Sequence, residues 1–483
     1  MIFKLIDKII ELITKIYKKE FNYKNNMSKI LLIFLIKQII FIIFIFSIKN
    51  YNKLIKDYKI NLNIKYLKIQ DDLNLTFNNN LNKKINFAFY AYGIKNGGRA
   101  RITSILINYF YKLEIFNIFL FTRRLKEENE YIIPEDIRRT LVQNDIIQVI
   151  KKNKINIIIY HLYYENEIKK LNSLKNINVI YYLHTCFFYW LYANYNSFKT
   201  IYRQYINSKY IISIIPFEND YLFYKWGINS ILMYNFIPYE FNNTFLSKLT
   251  SQTILMIGRG DNIYKRFELG ILAMEYIVKE IPNCEMKIIS NITGTYALQD
   301  LVDNINVKIC VKFIGYSSTP EIYFYNSSVH IFPSMSESFG LVIAEAKLFG
   351  VPNILVGLDY VLISKGGTRI VYDDTPESVS KEALKILNDY NYREKLGKEG
   401  KQSMINFNNE LLFKRWNKLV LSVYNGKDYF KKIRENEKKI SQTEAIDILQ
   451  NQIRLLKMRE IKFYNLTIVE VENFTIMENL AYN

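Results

Sequence analysis

The feature that most constrains the fold is an alternation of short β-rich runs with stretches of helical periodicity along most of the chain. This alternation is typical of parallel sheets built from βαβ units. A first array predicts strands at residues 85–92, 115–122, 155–162, 179–184, 210–215 and 230–235. A second array predicts strands at residues 253–258, 285–290, 307–314, 329–333, 353–357 and 369–372. The sequence therefore predicts an α/β fold with two Rossmann-like, doubly wound domains in series.

The length of the chain agrees with more than one domain, because 483 residues exceed what one ordinary core accommodates. We expect the following regions: an N-terminal amphipathic and membrane-anchor region at 1–80, a first sheet domain at 81–238, a second at 239–408, and a closing helix with a charged C-terminal extension at 409–483. Ligands of doubly wound sheets bind beyond the carboxyl ends of the strands. The predicted ligand site is therefore the cleft that the two sheet domains face.

An apolar run near the N-terminus is long enough to cross a bilayer. Residues Ile30 to Ile48 are interrupted only by Lys37, Gln38 and Ser47, which predicts a membrane-associated helix. The alternative is a buried or interfacial helix, which Lys37 favours because a charge at a bilayer centre costs about 2.5 to 3.5 kcal/mol. Residues 1–19 have the pattern of a helix lying on a membrane surface, or else docked on the protein. Lysines flank the run on both sides, so the orientation stays open.

The net charge of +19 attracts nucleic acid, anionic membranes and phosphorylated substrates alike. The lysines are spread along the chain and no nucleic-acid-binding signature occurs, so we expect no nucleic-acid partner. Cys186, Cys284 and Cys310 have no metal-like spacing. Their number and spacing favour a reducing compartment, so we expect a membrane-associated protein whose sheet domains face the cytoplasm.

The most informative segment runs from Pro333 to Ala346, where a strand ends, a glycine turn follows and a helix begins. Its two acids, Glu337 and Glu345, are eight positions apart, so that a helix would place both on one face. The backbone amides of Gly340, Leu341 and Val342, next to Phe339, would point out of the helix N-terminus and form an anion site. Carboxylates accept hydroxyl groups and such amides hold phosphates. The alternative is an acid-rich helix start that has no ligand.

Two cations follow the first predicted strand of the second array. Gly258 and Arg259 form the turn, and Lys265 lies six residues after Arg259. Two positive side chains at a strand-to-helix connection suit a diphosphate group, whose charge they would neutralise. The alternative is that both are ordinary surface charges.

The first array has a glycine-rich turn and a histidine at corresponding places. Gly97, Gly98 and Arg101 follow the first strand and open a helix, and glycine lets the backbone approach a ligand closely. The alternatives are a turn that needs glycine only for its geometry and an arginine on a solvated helix face. His184 ends a later strand, where α/β folds present side chains to their cleft. His161 and His330 are interpreted as structural.

Taken together, these segments resemble family 4 of the retaining glycosyltransferases, the "glycosyl transferases group 1" domain. The pair Glu337 and Glu345 resembles the Glu-x7-Glu signature of that family, and Gly258 to Lys265 resembles its glycine-arginine turn. The resemblance covers roughly residues 85–425 and is strongest over 258–354. It implies the GT-B fold and a retaining transfer of a hexosyl group from a UDP- or GDP-sugar to an acceptor hydroxyl in glycan biosynthesis.

The resemblance also implies roles for individual residues. Arg259 and Lys265 would hold the diphosphate, Glu337 and His184 would contact the donor sugar, and Glu345 would bind the ribose. Gly97, Gly98 and Arg101 would form the acceptor-side loop. The sequence departs from the family at Arg266, since members usually have glycine after the lysine. This departure puts the backbone of that loop in question.

The sequence contains no Asp-x-Asp pair, so we expect transfer without an essential metal and without a cofactor other than the nucleotide-sugar. The apolar N-terminal run and the positive charge would place the cleft beside anionic head groups, so we expect a lipid or glycan acceptor and a membrane partner. The alternatives are a nucleotide-sugar epimerase or hydrolase of the same fold, which would act without an acceptor, and a non-catalytic binding protein.

Overall fold

The computed structural model describes residues 84–426 and Leu456, with gaps at residues 96, 144, 185–186, 189, 191–194, 242–245, 260–262, 292–295, 306, 318, 359–360 and 406. The predicted N-terminal region at 1–80, Cys186 and nearly all of the C-terminal extension lie outside the described residues. Within the described part of the chain, no helix has the length and apolarity to span a membrane.

The first sheet contains seven parallel strands in the order β3-β2-β1-β4-β5-β6-β7. The strands are β1 Ile85–Ala91, β2 Phe116–Thr122, β3 Arg138–Leu141, β4 Ile157–Tyr160, β5 Asn178–Tyr182, β6 Tyr210–Ser213 and β7 Ile231–Leu232. The helices between them are α1 Gly98–Tyr111, α2 Ile146–Lys152, α3 Glu165–Asn172, α4 Tyr195–Gln204 and α5 Pro216–Trp226. The strand order reverses direction between β1 and β4, which opens a crevice at the carboxyl ends of these two strands.

Aromatic side chains form much of the first core. The ring of Phe87 in β1 lies 4.7 Å from that of Phe89, 4.9 Å from that of Phe110 in α1 and 5.5 Å from that of Phe116 in β2. Residues Phe87 to Ala91 of β1 are buried on both faces of the sheet, which explains why this part of the strand is continuously apolar and not alternating.

The second sheet contains six parallel strands in the order β10-β9-β8-β11-β12-β13. They are β8 Thr253–Ile257, β9 Glu285–Ile289, β10 Val311–Gly315, β11 Val329–Phe332, β12 Asn353–Val356 and β13 Thr368–Val371. The helices are α6 Phe267–Glu280, α7 Tyr296–Asn304, α8 Glu321–Tyr325, α9 Leu341–Leu348, α10 Pro376–Asn388, α11 Tyr390–Ser403 and α12 Asn409–Tyr424. Here the order reverses between β8 and β11, so the second crevice lies at the ends of these two strands.

The last helix connects the second sheet domain to the first. The ring of Phe413 in α12 stacks on that of Tyr109 in α1 at 3.9 Å, and the buried Trp416 contacts Tyr182 of β5 with ring centroids 5.3 Å apart. Asn409 exchanges two hydrogen bonds with the backbone of Ile237, at 3.0 and 2.6 Å. Helix α12 thus packs on the first domain after the second sheet is complete.

The predicted fold class of two doubly wound parallel-sheet domains is confirmed. Every predicted strand overlaps an observed one, but β3 was not predicted. Its sequence is Arg-Arg-Thr-Leu, and it forms the edge of the first sheet with its side chains exposed or half-buried. A charged edge strand resists pairing with other chains. Such a strand has no apolar run that the sequence could reveal.

Candidate active site

Two loops of the second domain meet at the crevice between β8 and β11. The carbonyl of Tyr264, in the short 3-10 helix Ile263–Lys265 after β8, accepts hydrogen bonds from the amide of Met335 at 2.8 Å and from the hydroxyl of Ser334 at 3.2 Å. Both donors belong to the loop that follows β11. These bonds fix the position of the predicted cation loop against the predicted acidic loop.

The side chains of Lys265 and Glu337 form an ion pair within this junction. The Ser334 hydroxyl donates to the same Glu337 oxygen at 3.0 Å, and the Lys265 ammonium lies 5.0 Å from the centre of the Phe332 ring. The two charged side chains are 20% and 12% exposed, so the pair is largely buried but still reached by solvent. The structure therefore brings these two predicted site residues together.

Arg259, the other predicted cation, lies just after β8 and is exposed. It forms no ion pair with any residue in the described part of the chain. The guanidinium of an arginine offers five N–H donors in a planar arrangement that suits a phosphate group.

Gly340 begins helix α9 with φ of 77°, the left-handed region that glycine adopts without strain. A Cβ at this position would lie 2.6 Å from the Cδ1 atom of Ile343, so no larger residue fits without rearrangement. No side chain caps the helix start. The amides of Leu341 and Val342 thus form the amino end of α9 beside Phe339, as the sequence predicts, and the dipole of the helix favours an anion there.

Glu345 lies inside α9 and is 2% exposed, whereas Glu337 lies in the loop before the helix. The prediction that one helix face holds both acids is therefore wrong. The Oε1 atom of Glu345 accepts a hydrogen bond from Nη1 of Arg101 at 2.7 Å. Burial raises the pKa of the Glu345 carboxyl, Arg101 lowers it, and Glu321 raises it further. Arg101 belongs to α1 of the first domain, so the predicted ribose-binding acid is paired across the cleft with a residue predicted for the acceptor-side loop.

Two further contacts join the same faces of the domains. A Cβ at Gly98 would lie 3.1 Å from Cδ1 of Leu341, which means that the start of α1 packs closely against the start of α9. The Ser338 hydroxyl donates to the carbonyl of His184 at 3.1 Å. Gly97 precedes α1 with φ of 83° and is exposed. The glycine turn of the first domain therefore faces the amino end of α9 in the second.

His184 contacts a second histidine, His161, for which the sequence predicted a structural role. The Nδ1 atom of His161 lies 3.0 Å from Nε2 of His184, and the Tyr163 hydroxyl accepts the His184 amide. Burial lowers the pKa of His161 to about 3 and that of His184 well below its usual value, and Arg99 lowers both. Both rings are neutral near pH 7, so one donates a hydrogen bond to the other.

A positional signal could have revealed the histidine pair. His161 directly follows β4, His184 follows β5, and these two strands are parallel neighbours. The carboxyl ends of adjacent parallel strands meet at the same edge, so two histidines at such ends lie close together. His330, in contrast, is buried in β11, where Nδ1 lies 2.7 Å from the Asn353 side-chain oxygen.

Arg266, the departure from the family pattern, occupies a left-handed backbone position with φ of 54° and ψ of 43°. Its guanidinium is 7% exposed and forms an ion pair with Asp374 at 2.6 Å. The conformation explains why glycine is usual at this position, since a side chain there is strained. The loop therefore has a non-glycine residue in a strained conformation, and the side chain of this residue forms a buried ion pair.

A polar cluster at the carboxyl ends of β1, β2 and β4 was also missed. The hydroxyls of Tyr90 and Tyr160 donate to the two oxygens of Glu167 at 3.0 and 2.9 Å, and Arg123 forms an ion pair with the same carboxylate. Tyr90 and Glu167 are 77 positions apart in the sequence. The members of the cluster lie together because their strands are neighbours in the sheet.

Comparison with known proteins supports the interpretation of the second domain. Residues 240–403 match the family model described as "Glycosyl transferases group 1". An uncharacterized glycosyltransferase from Haemophilus influenzae is 30% identical over 107 residues, which are 22% of this chain and 30% of that relative. The chain thus spans less than a third of the length of this relative.

Solved structures match over both sheets. Sucrose-phosphate synthase from Thermosynechococcus elongatus superposes with a TM-score of 0.62 at 16% identity, covering 71% of this chain and 100% of that one. HepE from Anabaena, solved in complex with UDP and glucose, superposes with a TM-score of 0.59 at 12% identity, covering 70% and 99%. The chain therefore has the two-sheet fold of the GT-B glycosyltransferases, and residues 240–403 match the glycosyl transferases group 1 family.

Proposed function

We propose that the protein is a retaining glycosyltransferase that moves a hexosyl group from a UDP- or GDP-sugar to an acceptor hydroxyl. One observation carries the proposal: the ion pair of Lys265 and Glu337 lies at the crevice of a domain that matches the glycosyl transferases group 1 family. The pair supplies a cation for a phosphate and a carboxylate for a sugar. A diphosphate-linked sugar needs both groups within one site.

The donor diphosphate would bind between Arg259, Lys265 and the amino end of α9. These groups neutralise the charge that develops on the leaving diphosphate, and they do so with fixed protein charge. For this reason we propose a transfer that needs no essential metal. The HepE structures that contain UDP support a UDP-sugar as the first donor to test.

In the proposed reaction the bond between the anomeric carbon and the diphosphate oxygen breaks while the acceptor oxygen bonds to the same carbon on the same face. The departing phosphate oxygen takes the proton of the acceptor hydroxyl, so no protein nucleophile is required. Glu337 accepts hydrogen bonds from hydroxyls of the donor sugar. His184 contacts the donor sugar as a neutral ring, which can accept or donate a hydrogen bond without repelling the nearby Arg99.

The acceptor would be a lipid or a glycan, and the sheet domains would act at a membrane surface on its cytoplasmic side. This part of the proposal rests on the apolar run from Ile30 to Ile48, the basic charge of the chain and its few cysteines. A cleft beside an anionic bilayer would meet lipid-linked acceptors at high local concentration.

The test is a binding and turnover screen of the full-length, detergent-solubilised protein with UDP- and GDP-sugars in the presence of EDTA. We expect one donor to raise the melting temperature and to be hydrolysed slowly, and Lys265→Ala to abolish both effects. Lys312→Ala is the matched control, because Lys312 forms an ion pair with Glu285 in the same domain but on strands β10 and β9.

Three outcomes would contradict parts of the proposal. If neither UDP- nor GDP-sugars bind the wild-type protein, a non-catalytic role replaces it. Conversion of a nucleotide-sugar into an isomer without any acceptor would indicate an epimerase. Activity that EDTA removes and Mg²⁺ restores would contradict the metal-independent mechanism alone.

A further inference from the structure

The ion pair between Arg101 and Glu345 is unusual because it joins the two sheet domains at a buried position. Nη1 of Arg101 lies 2.7 Å from Oε1 of Glu345, and the two side chains are 22% and 2% exposed. Arg101 extends from the first turn of α1, and Glu345 lies in α9, whose amino end packs against Gly98. The pair therefore joins the first turn of α1 to α9 where the two domains are in close contact.

The groups that face Glu345 come from several elements. Arg101 supplies a positive charge, whereas Glu321 of α8 supplies a negative one. Tyr239, in the connection between the domains, lies with its ring 5.8 Å from the Arg101 guanidinium, and its hydroxyl donates to Glu321 at 3.1 Å. Tyr131 of the first domain lies close enough to interact electrostatically with both Arg101 and Glu345. Of these four groups, Arg101 alone favours the ionised form of Glu345.

From this geometry we infer that Arg101 is a positioning residue of the donor site, which holds the Glu345 carboxylate ionised and oriented toward the nucleotide ribose. The inference rests on the proposed function, because it assumes that Glu345 binds ribose hydroxyls. It changes the role of Arg101, which the sequence resemblance places on the acceptor-side loop. The first domain thereby completes the nucleotide subsite of the second.

The chemistry of a carboxylate explains how one group can serve both partners. An ionised carboxyl accepts about four hydrogen bonds, and Arg101 uses one of these positions on Oε1. The remaining positions are sufficient for two ribose hydroxyls. Hydrogen bonds to an ionised acceptor are stronger than those to a neutral one, so the charge that Arg101 maintains increases the affinity for the nucleotide.

The same argument predicts a pH dependence with a definite sign. Burial raises the pKa of Glu345 and Arg101 lowers it, so removal of Arg101 leaves burial and Glu321 to raise it further. In the variant the carboxyl therefore takes up a proton as the pH falls toward and through this raised pKa. Nucleotide binding by the variant should weaken at low pH, while the wild type should change less over the same range.

The experiment is a calorimetric titration of UDP and GDP into the full-length wild type, Arg101→Gln and Arg101→Lys, from about pH 5.5 to 8.5. We expect Arg101→Gln to bind the nucleotide roughly tenfold more weakly near neutral pH, and more weakly still at the acidic end. Arg101→Lys should recover part of the affinity and of the flat pH profile, because it keeps the charge. Arg139→Gln is the matched control, since Arg139 pairs with Glu130 at 2.6 Å within the first domain and is 20% exposed.

A double-mutant cycle with Glu345→Gln provides the second measurement. If Arg101 acts through Glu345, the double variant binds the nucleotide no more weakly than Glu345→Gln alone. Multiplicative losses would overturn the inference. Tighter binding by Arg101→Gln would also overturn it, because Arg101 would then compete with the ribose for Glu345.

The failure of this inference and that of the proposed function can be told apart. If the wild type binds neither nucleotide nor nucleotide-sugar, the proposed function fails. If the wild type binds and Arg101→Gln retains both its affinity and its pH profile, the proposed function stands and only the role of Arg101 is wrong.

Discussion

The two faces of the cleft differ in how their polar groups are assembled. The second domain contributes two contiguous segments, which join through the Lys265–Glu337 pair and the hydrogen bonds of Ser334. The first domain contributes residues from separate loops, and its central contact is the one between His161 and His184, 23 positions apart. The two segments that carry Lys265 and Glu337 form the charged face. The histidine pair, whose rings are both neutral near pH 7 although Arg99 lies beside them, forms the neutral face.

This difference follows from what each face would bind in the proposed reaction. A diphosphate requires fixed positive charge and oriented amides, which short segments at strand ends can supply. Sugar hydroxyls and an acceptor require hydrogen-bonding groups whose placement depends on the shape of the site. The charged face is therefore the one on which single substitutions should have the largest effect.

The largest expected effect is on the charged face, in Glu337→Gln. The substitution removes the carboxylate that pairs with Lys265 and accepts from Ser334, so the cation loses its orientation and the donor sugar an acceptor. We expect the rate of sugar transfer to fall about a hundredfold or more. The measurement is product formation from a radiolabelled nucleotide-sugar, with the melting temperature as a check on folding.

A rate within twofold of the wild type would contradict the role of Glu337 and remove the basis for ranking the charged face first. Glu275→Gln serves as the control. Glu275 is an exposed acid on α6 that pairs with Lys279 one helical turn away. We expect this variant to transfer sugar at the wild-type rate.

The next effect concerns stability and lies in the interior of the first domain. Glu218 is fully buried in α5, and its two oxygens accept hydrogen bonds from Tyr202 and Ser213, both at 2.6 Å. Burial raises its pKa from 4.5 to about 7, against the effect of these bonds. Because the pKa in the folded state is the higher one, the fold favours the protonated form. The stabilisation is complete below about pH 4.5 and is lost as the pH rises through about 7.

We therefore expect the free energy of unfolding to decrease by on the order of 3 kcal/mol between these two pKa values and to stay low above them. In Glu218→Gln, which resembles the protonated acid, this decrease should be absent. The measurement is urea unfolding of both proteins at several pH values, with Glu275→Gln as the exposed control. Equal pH dependence in the wild type and Glu218→Gln would show that another group is responsible.

The sequence predicted which segments form the charged face but not how its two acids are arranged, since Glu337 lies in a loop and Glu345 in a helix. Of the neutral face it predicted only His184. Glu337, Gly340 and Lys265 lie in segments whose residue types and spacing already predict their chemistry. His161 was interpreted as structural because a lone histidine carries no pattern. Its contact with His184 depends on β4 and β5 being neighbours, which is a property of the sheet and not of either segment. The pairing of Arg101 with Glu345 was not predicted either, because it depends on how the two sheet domains pack against each other and not on either segment.

A smaller effect is expected on the neutral face. His161→Leu removes the nitrogen that holds the His184 ring, so we expect the rate of transfer to fall roughly tenfold, which is the order of one lost hydrogen bond. His161→Asn should keep most of the rate, because the side-chain amide nitrogen of asparagine can occupy the place of Nδ1. The lowered pKa of both rings also predicts that neither variant changes the pH profile at and above neutral pH, where both rings are already neutral.

The measurement is the rate of transfer at several pH values, combined with the histidine ring signals in NMR spectra. A histidine signal that titrates near pH 6.5 would contradict the assignment of two neutral rings. Equal losses in the leucine and asparagine variants would indicate that His161 acts through packing and not through its hydrogen bond. The two faces would then differ only in charge.

The smallest expected effect concerns the backbone of the charged face. Arg266→Gly and Arg266→Ala both lose the ion pair with Asp374, so a comparison of the two isolates the cost of a side chain at φ of 54°. We expect the glycine variant to be more stable than the alanine variant by about 1 kcal/mol, since only glycine adopts this conformation freely. The measurement is the midpoint of urea unfolding.

At Lys385, inside helix α10, the same pair of substitutions should have the opposite order, because alanine favours a helix. If alanine is the more stable variant at both positions, the left-handed backbone at Arg266 is not retained, and the order expected from the loop geometry is lost. If the order reverses between the two positions as expected, Arg266 lowers the stability of the fold locally through its strained backbone. The loop that holds Lys265 is then kept in place by the residues around it.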